Sequence, residues 1–173
     1  LPNVKESARA LDAYVTDSSK SLFEEFGVMS ALELDARNEI QHENYILKIQ
    51  IEARLISELG MTQVVPAALK YQNKLMNNAK GLAEFGLDNT HIKTILEKVN
   101  RHITTIQSQV VEMNNERGEV NKIDDTRDRA IAYCDQVKTK YFDSIREAVD
   151  KLELMLDDED WPLLKYREML FLR

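Results

Sequence analysis

Residues 92–113 read Ile-Lys-Thr-Ile-Leu-Glu-Lys-Val-Asn-Arg-His-Ile-Thr-Thr-Ile-Gln-Ser-Gln-Val-Val-Glu-Met. Within this stretch Ile92, Leu96, Val99, Ile103, Ile106, Val110 and Met113 follow steps of 4, 3, 4, 3, 4 and 3. A strand repeats every second residue, whereas this pattern lines one side of a helix for about three heptads. The stripe needs a partner to hide it from water. Asn114-Asn115-Glu116-Arg117-Gly118 is a turn-rich cluster and is expected to end the helix. A second long helix, 122–156, is expected beyond it, with Ala130, Cys134, Val137, Tyr141, Ile145, Ala148, Leu152 and Met155 along one face. Two long helices joined by a short turn make an antiparallel hairpin.

Upstream, residues 4–26 read as one helix, with Val4, Ala8, Leu11, Val15, Leu22 and Phe26 near one face and Gly27 as its stop. Ser30-Ala31-Leu32-Glu33 is a capping box. The helix it opens carries apolar residues around most of its girth (Leu34, Ile40, Ile46, Leu47, Ile49, Ile51, Leu55) and is expected to be buried between others. Gly60 and Pro66 interrupt it: the proline either kinks the helix or starts a new one, which Gly86 ends. Asp88 or Thr90 caps the next helix, and 84–90 is the softest joint. At the far end Asp157-Asp158-Glu159-Asp160 precedes Trp161-Pro162, placing negative charge before a short helix expected over 163–173. The fold class is therefore all-α: a single helical domain over 1–173. It comprises a bundle part (1–86), the hairpin (87–156) and a C-terminal docking segment (157–173).

Composition agrees. Only 5 Gly and 3 Pro in 173 residues specify few turns. A net charge of −7 gives no general attraction for nucleic acid or an anionic membrane. No apolar run approaches the roughly 20 residues that span a bilayer. One cysteine, Cys134, excludes an intrachain disulfide and suits a reducing cytoplasm. The first residue is Leu1, which fits a piece of a longer chain and equally a trimmed terminus.

No constellation for catalysis emerges. There is no Gly-x-Ser-x-Gly elbow, and Cys134 lies on an apolar helix face as a small buried hydrophobe. Five isolated glycines form no phosphate-cradling loop. Glu39 and His42 share a helix face at the spacing used by di-iron bundles, but the second such pair is missing: His91 and His102 lack it. Carboxylate pairs such as Glu24 with Glu25, or Glu43 with Glu52, sit on helices and read as solvated. The 157–160 run lacks the alternating ligands and glycine of a calcium loop. Catalytic, cofactor-binding and metal-ligating residues are thus expected to be absent. The terminal segment is different: Trp161, Tyr166, Met169, Leu170 and Phe171 are candidate interface residues, because so many large apolar groups must pack on something.

Two stretches carry a family resemblance. One runs from Leu22-Phe23-Glu24-Glu25-Phe26-Gly27-Val28-Met29-Ser30 through Tyr45-Ile46-Leu47-Lys48-Ile49-Gln50-Ile51-Glu52-Ala53 to Val65-Pro66-Ala67-Ala68-Leu69-Lys70-Tyr71-Gln72. The other is Asp160-Trp161-Pro162-Leu163-Leu164-Lys165-Tyr166-Arg167-Glu168-Met169-Leu170-Phe171. Together they resemble the C-terminal region of the large type III glutamine synthetases of Bacteroidetes and cyanobacteria. The resemblance implies a parent oligomer, built from hexameric rings, that joins glutamate and ammonia at the expense of ATP with divalent metal ions. It also implies that the nucleotide, metal and glutamate sites lie upstream of this region, in a β-grasp and a catalytic barrel. It therefore assigns no cofactor to this chain. The partners it implies are the upstream catalytic domain and other subunits, with a role in assembly, stability or regulation. A free-standing helical adaptor is the alternative reading.

Overall fold

A computed structural model describes residues 6–171, with the side chains of Tyr166 and Arg167 outside that description. Among the described residues every regular element is helical. In chain order they are α1 (Ser7–Ala10), a 3-10 turn (Leu11–Val15), α2 (Asp17–Glu25), α3 (Ala31–Leu59), a π-helical segment (Gly60–Val64) and α4 (Val65–Glu84). Then follow α5 (Thr90–Val120), α6 (Thr126–Ala132), a second π-helical segment (Tyr133–Phe142), α7 (Asp143–Met155) and α8 (Tyr166–Met169). The chain folds into two compact units. Unit 1 holds the described residues through Arg54 together with Met113–Lys140; unit 2 holds Leu55–Glu112 together with Tyr141 onward.

In unit 1 the expected first helix is broken. Val4 lies outside the described residues; beyond it, Thr16 turns extended, at φ −67° and ψ 150°, and its hydroxyl accepts from Ser19 N–H at 3.2 Å to cap α2. Ser19 Oγ donates back to the Ala13 carbonyl at 2.7 Å. A Thr-Asp-Ser-Ser run offers the backbone side-chain partners that compete with a continuing helix. Leu22 and Phe26, expected on a buried face, are 52% and 72% exposed. Gly27 does stop α2, at φ 59°, and Gly86 stops α4 in the same left-handed conformation at φ 69°. In each the next N–H reaches back into the last turn: Val28 to the Phe23 carbonyl, and Leu87 to that of Leu82. The Ser30 capping box forms, with Ser30 N–H donating to Glu33 Oε2 at 2.8 Å and Glu33 N–H to Ser30 Oγ at 3.3 Å.

α3 departs from its expected burial. In unit 1 it buries Leu34, His42, Ile46, Ile49 and Ala53, whereas Ile40, Leu47 and Ile51 stay more than half exposed. Its apolar residues form two stripes, and one of them is open.

The antiparallel hairpin is present, with its turn displaced. α5 runs through Gly118 to Val120, and the turn falls at residues 121–125, where the Asp125 carboxylate accepts from Asp128 N–H to cap α6. The seam explains the extension, because Val120 stands seven residues beyond Met113 and is buried like it. Within unit 1 the hairpin is joined by a closed triangle. Tyr133 Oη donates to Asn121 Oδ1 at 2.6 Å, and Gln50 Nε2 donates to Tyr133 Oη at 2.9 Å and to Asn121 Oδ1 at 3.1 Å.

In unit 2, Pro66 neither ends nor restarts the helix. Backbone angles stay helical through Leu59, Val64 and Val65, and the ladder widens so that Val65 N–H donates to the Gly60 carbonyl, five residues back. A π-turn absorbs the missing donor and relieves crowding of the Thr62 carbonyl by the proline ring. Gly60 also marks a close approach: a Cβ there would stand 3.3 Å from Ile106 Cγ2. Val99, Ile103, Ile106 and Val110 of α5 are all buried, as are Ile145, Ala148 and Leu152 of α7. Leu156 is buried where Met155 was expected to close that face, and Met155 is only half-buried. The acidic run does not cap a helix over 163–173. It forms a turn after α7, with Asp160 N–H on the Asp157 carbonyl, and α8 is one turn beginning at Tyr166, while residues 172–173 lie outside the described set.

Candidate functional site

The most organised polar feature of unit 2 joins the two stretches that carry the resemblance. Lys70 and Lys74 stand four residues apart on one face of α4, so both ammonium groups point the same way. They converge on Asp160, with Lys70 Nζ 2.8 Å from Oδ1 and Lys74 Nζ 2.5 Å from Oδ2. The Asp160 side chain is 1% exposed. Hydrogen bonds from Lys70 and then Lys74 hold its carboxyl below the usual carboxylate range. The stabilisation is therefore present above the unfolded carboxylate value of about 3.9 and is lost as pH falls through the lower folded value. Wild type is expected to lose its advantage over Asp160→Asn on acidification. Thermal melts of both from neutral pH to about pH 2 check this; a gap that stays constant with pH would show that the ion pairs contribute nothing.

Trp161 follows directly and is 8% exposed, its indole N–H meeting no acceptor among the described residues. Of the candidate interface residues, Trp161 is thus spent inside unit 2. Met169, Leu170 and Phe171 are 50%, 64% and 82% exposed, and the side chain of Tyr166 lies outside the described residues.

Unit 1 resolves the other candidates. His42 is 1% exposed and burial holds its imidazole pKa down, while Glu39, three residues before it, is exposed. One group of potential metal ligands converges among the described residues, Glu6, Cys134 and Asp135, with ligand atoms within 4.8 Å of one another. Arg9 occupies both carboxylates: it pairs with Glu6 and forks onto Asp135 at 2.6 and 3.1 Å. A divalent cation would have to displace a guanidinium, so these residues do not fit the metal that the resemblance assigns to the parent. Cys134 is buried, and Tyr45, whose phenol is pushed up by burial and by a hydrogen bond with Cys134, packs beside it. A second fork, Arg127 onto Asp12 at 2.6 and 2.7 Å, ties the 3-10 turn to α6. The forks were not legible in the sequence, because each joins charges more than a hundred positions apart.

No described helix is long and apolar enough to cross a membrane. What the structure defines is a module whose regular elements are all helical among the described residues, with a charge clamp closing its second unit and an open apolar stripe on its first.

The comparisons specify the class. Residues 1–83 match the family model of the glutamine synthetase C-terminal domain. The whole chain is similar to a glutamine synthetase of Bacteroides fragilis, at 32% identity over 99% of this chain and 24% of that protein. It is also similar to a type-3 glutamine synthetase of Dictyostelium discoideum, at 28% identity over 100% of this chain and 24% of that protein. Residues 1–83 belong to the glutamine synthetase C-terminal domain family, and the chain spans about a quarter of the length of the curated relatives it matches.

Proposed function

We propose that this chain serves as the helical C-terminal domain of a cytoplasmic type III glutamine synthetase, and that it supports assembly and stability while the chemistry proceeds elsewhere in the parent. The parent would form glutamine from glutamate, ammonia and ATP, with ATP and divalent metal bound outside this region. The observation that carries this reading is the second stripe of α3. Ile40, Leu47 and Ile51, at steps of seven and four, lie on one side of the helix and are 53%, 54% and 55% exposed. A run of large aliphatics at helical spacing, facing water in a chain with a net charge of −7, has the form of a buried interface whose other half is absent. The partners proposed for it are the catalytic domain and neighbouring subunits.

Replacing Leu47 and Ile51 together with Glu in the full-length enzyme tests the proposal. Two charges placed without partners in an apolar contact are expected to weaken association by about 100-fold or more. Light scattering would then show smaller oligomers, and glutamine formation would fall with them. The circular dichroism spectrum of the 173-residue chain should be unchanged, because neither side chain contributes to its core. A mutant enzyme that remains fully assembled would overturn this role for the stripe.

A further inference from the structure

We infer that unit 1 carries a binding site for a small organic acid with an apolar body and an N–H or O–H donor beside its carboxylate. The site is a cleft of about 450 Å³ between the 3-10 turn, α2, the loop after it and α3. That volume lies in the range of pockets that take small molecules.

Its apolar lining comes from Leu11, Tyr14, Phe23, Met29 and the buried Leu34. Its polar lining comes from one face of α3: Arg37, Asn38 and Gln41. Two features there ask for a ligand. Asn38 Oδ1 is buried and accepts from no group among the described residues. Such an acceptor is costly unless something donates to it. Arg37 is exposed, and among the described residues no salt bridge holds its guanidinium: Glu33 acts on it only through space while accepting from Ser30 N–H and Ser30 Oγ, and Asp35 pairs with Lys20 at 2.7 Å. The guanidinium fork therefore retains the capacity to take a carboxylate in two parallel hydrogen bonds.

A carboxylate on Arg37, a donor on Asn38 Oδ1 and an apolar group against Tyr14 and Phe23 fix three points of one molecule. Neither a neutral hydrocarbon nor a simple anion satisfies all three. The site is separate from the α3 stripe, and its fate does not depend on the role proposed for that stripe.

N-acetyl-L-phenylalanine is the smallest convenient probe with all three features. Titrated into the 173-residue chain and followed by amide chemical shifts, it should bind saturably at about millimolar affinity or tighter. The shifts should centre on Tyr14, Phe23 and Asn38. Arg37→Gln, a surface change that leaves the fold intact, should weaken binding by about tenfold, and Asn38→Leu by a similar factor. Arg54→Gln, an exposed control in no part of the cleft, should have no effect. The inference is overturned if the probe does not saturate, if N-acetyl-L-phenylalaninamide binds equally well, or if Arg37→Gln binds like wild type. It is also overturned if the cleft is closed by a second copy, which concentration-dependent sedimentation would reveal.

Discussion

Trp161→Ala is expected to destabilise unit 2 by about 3–5 kcal/mol, the usual cost of deleting a large buried aromatic. The indole is 8% exposed and immediately follows Asp160, so it fixes the returning chain where the two lysines of α4 can reach the carboxylate. Removing it opens a cavity and frees the segment that bears the clamp. Because the indole N–H meets no acceptor among the described residues, a ring without a donor gives up little polar energy. Trp161→Phe should therefore cost only about 1–2 kcal/mol, mostly lost volume. Urea denaturation followed by circular dichroism measures both. An alanine variant within about 1 kcal/mol of wild type would mean that the tryptophan is not docked.

Tyr133 gives the second large effect, in unit 1. Its side chain is fully buried and its hydroxyl is one corner of the triangle with Gln50 and Asn121. Tyr133→Phe removes that corner but leaves Gln50 and Asn121 bonded to each other at 3.1 Å, so the cost should be about 1–2 kcal/mol. Tyr133→Ala also loses the ring and should cost about 3–5 kcal/mol more. A double-mutant cycle of Tyr133→Phe with Asn121→Ala should return a coupling of about 1 kcal/mol. Zero coupling would show that the triangle adds nothing beyond the packing of the ring.

The sequence made some of this plain and hid the rest for physical reasons. The α5 seam was legible because side-chain period alone specifies a buried helical face, and the capping box because its four residues are contiguous. The break at Thr16 was missed: apolar residues continue at helical spacing across it, and only the hydroxyl-rich run hints that side chains will take the backbone. The widened segment at Tyr133–Phe142 left a faint trace in Val137, Tyr141 and Ile145, which follow two successive steps of four where a heptad alternates. His42 occupies a core position of α3, so the inner stripe was obscured and the helix read as apolar all round. Asp160 read as part of an acidic run placed before a following helix. Its burial depends on lysines in a distant helix, and no local pattern encodes that. The cleft was invisible for the same reason, since its walls come from four separate elements.

The clamp has a consequence for synthesis. Lys74 and Asp160 are 86 positions apart, and Trp161 lies one residue further on. A ribosome adds residues at about 5–20 per second, and several dozen remain in its exit tunnel. Every segment of unit 1 precedes residue 141, whereas unit 2 also needs the residues from Tyr141 onward. In unit 2, α4 and the first part of α5 emerge early and must wait, apolar faces uncovered, for α7 and Trp161 to follow. During that interval the nascent chain presents the seam of α5 to chaperones and to other nascent copies, and a chain truncated before Asp160 has a second unit that never closes.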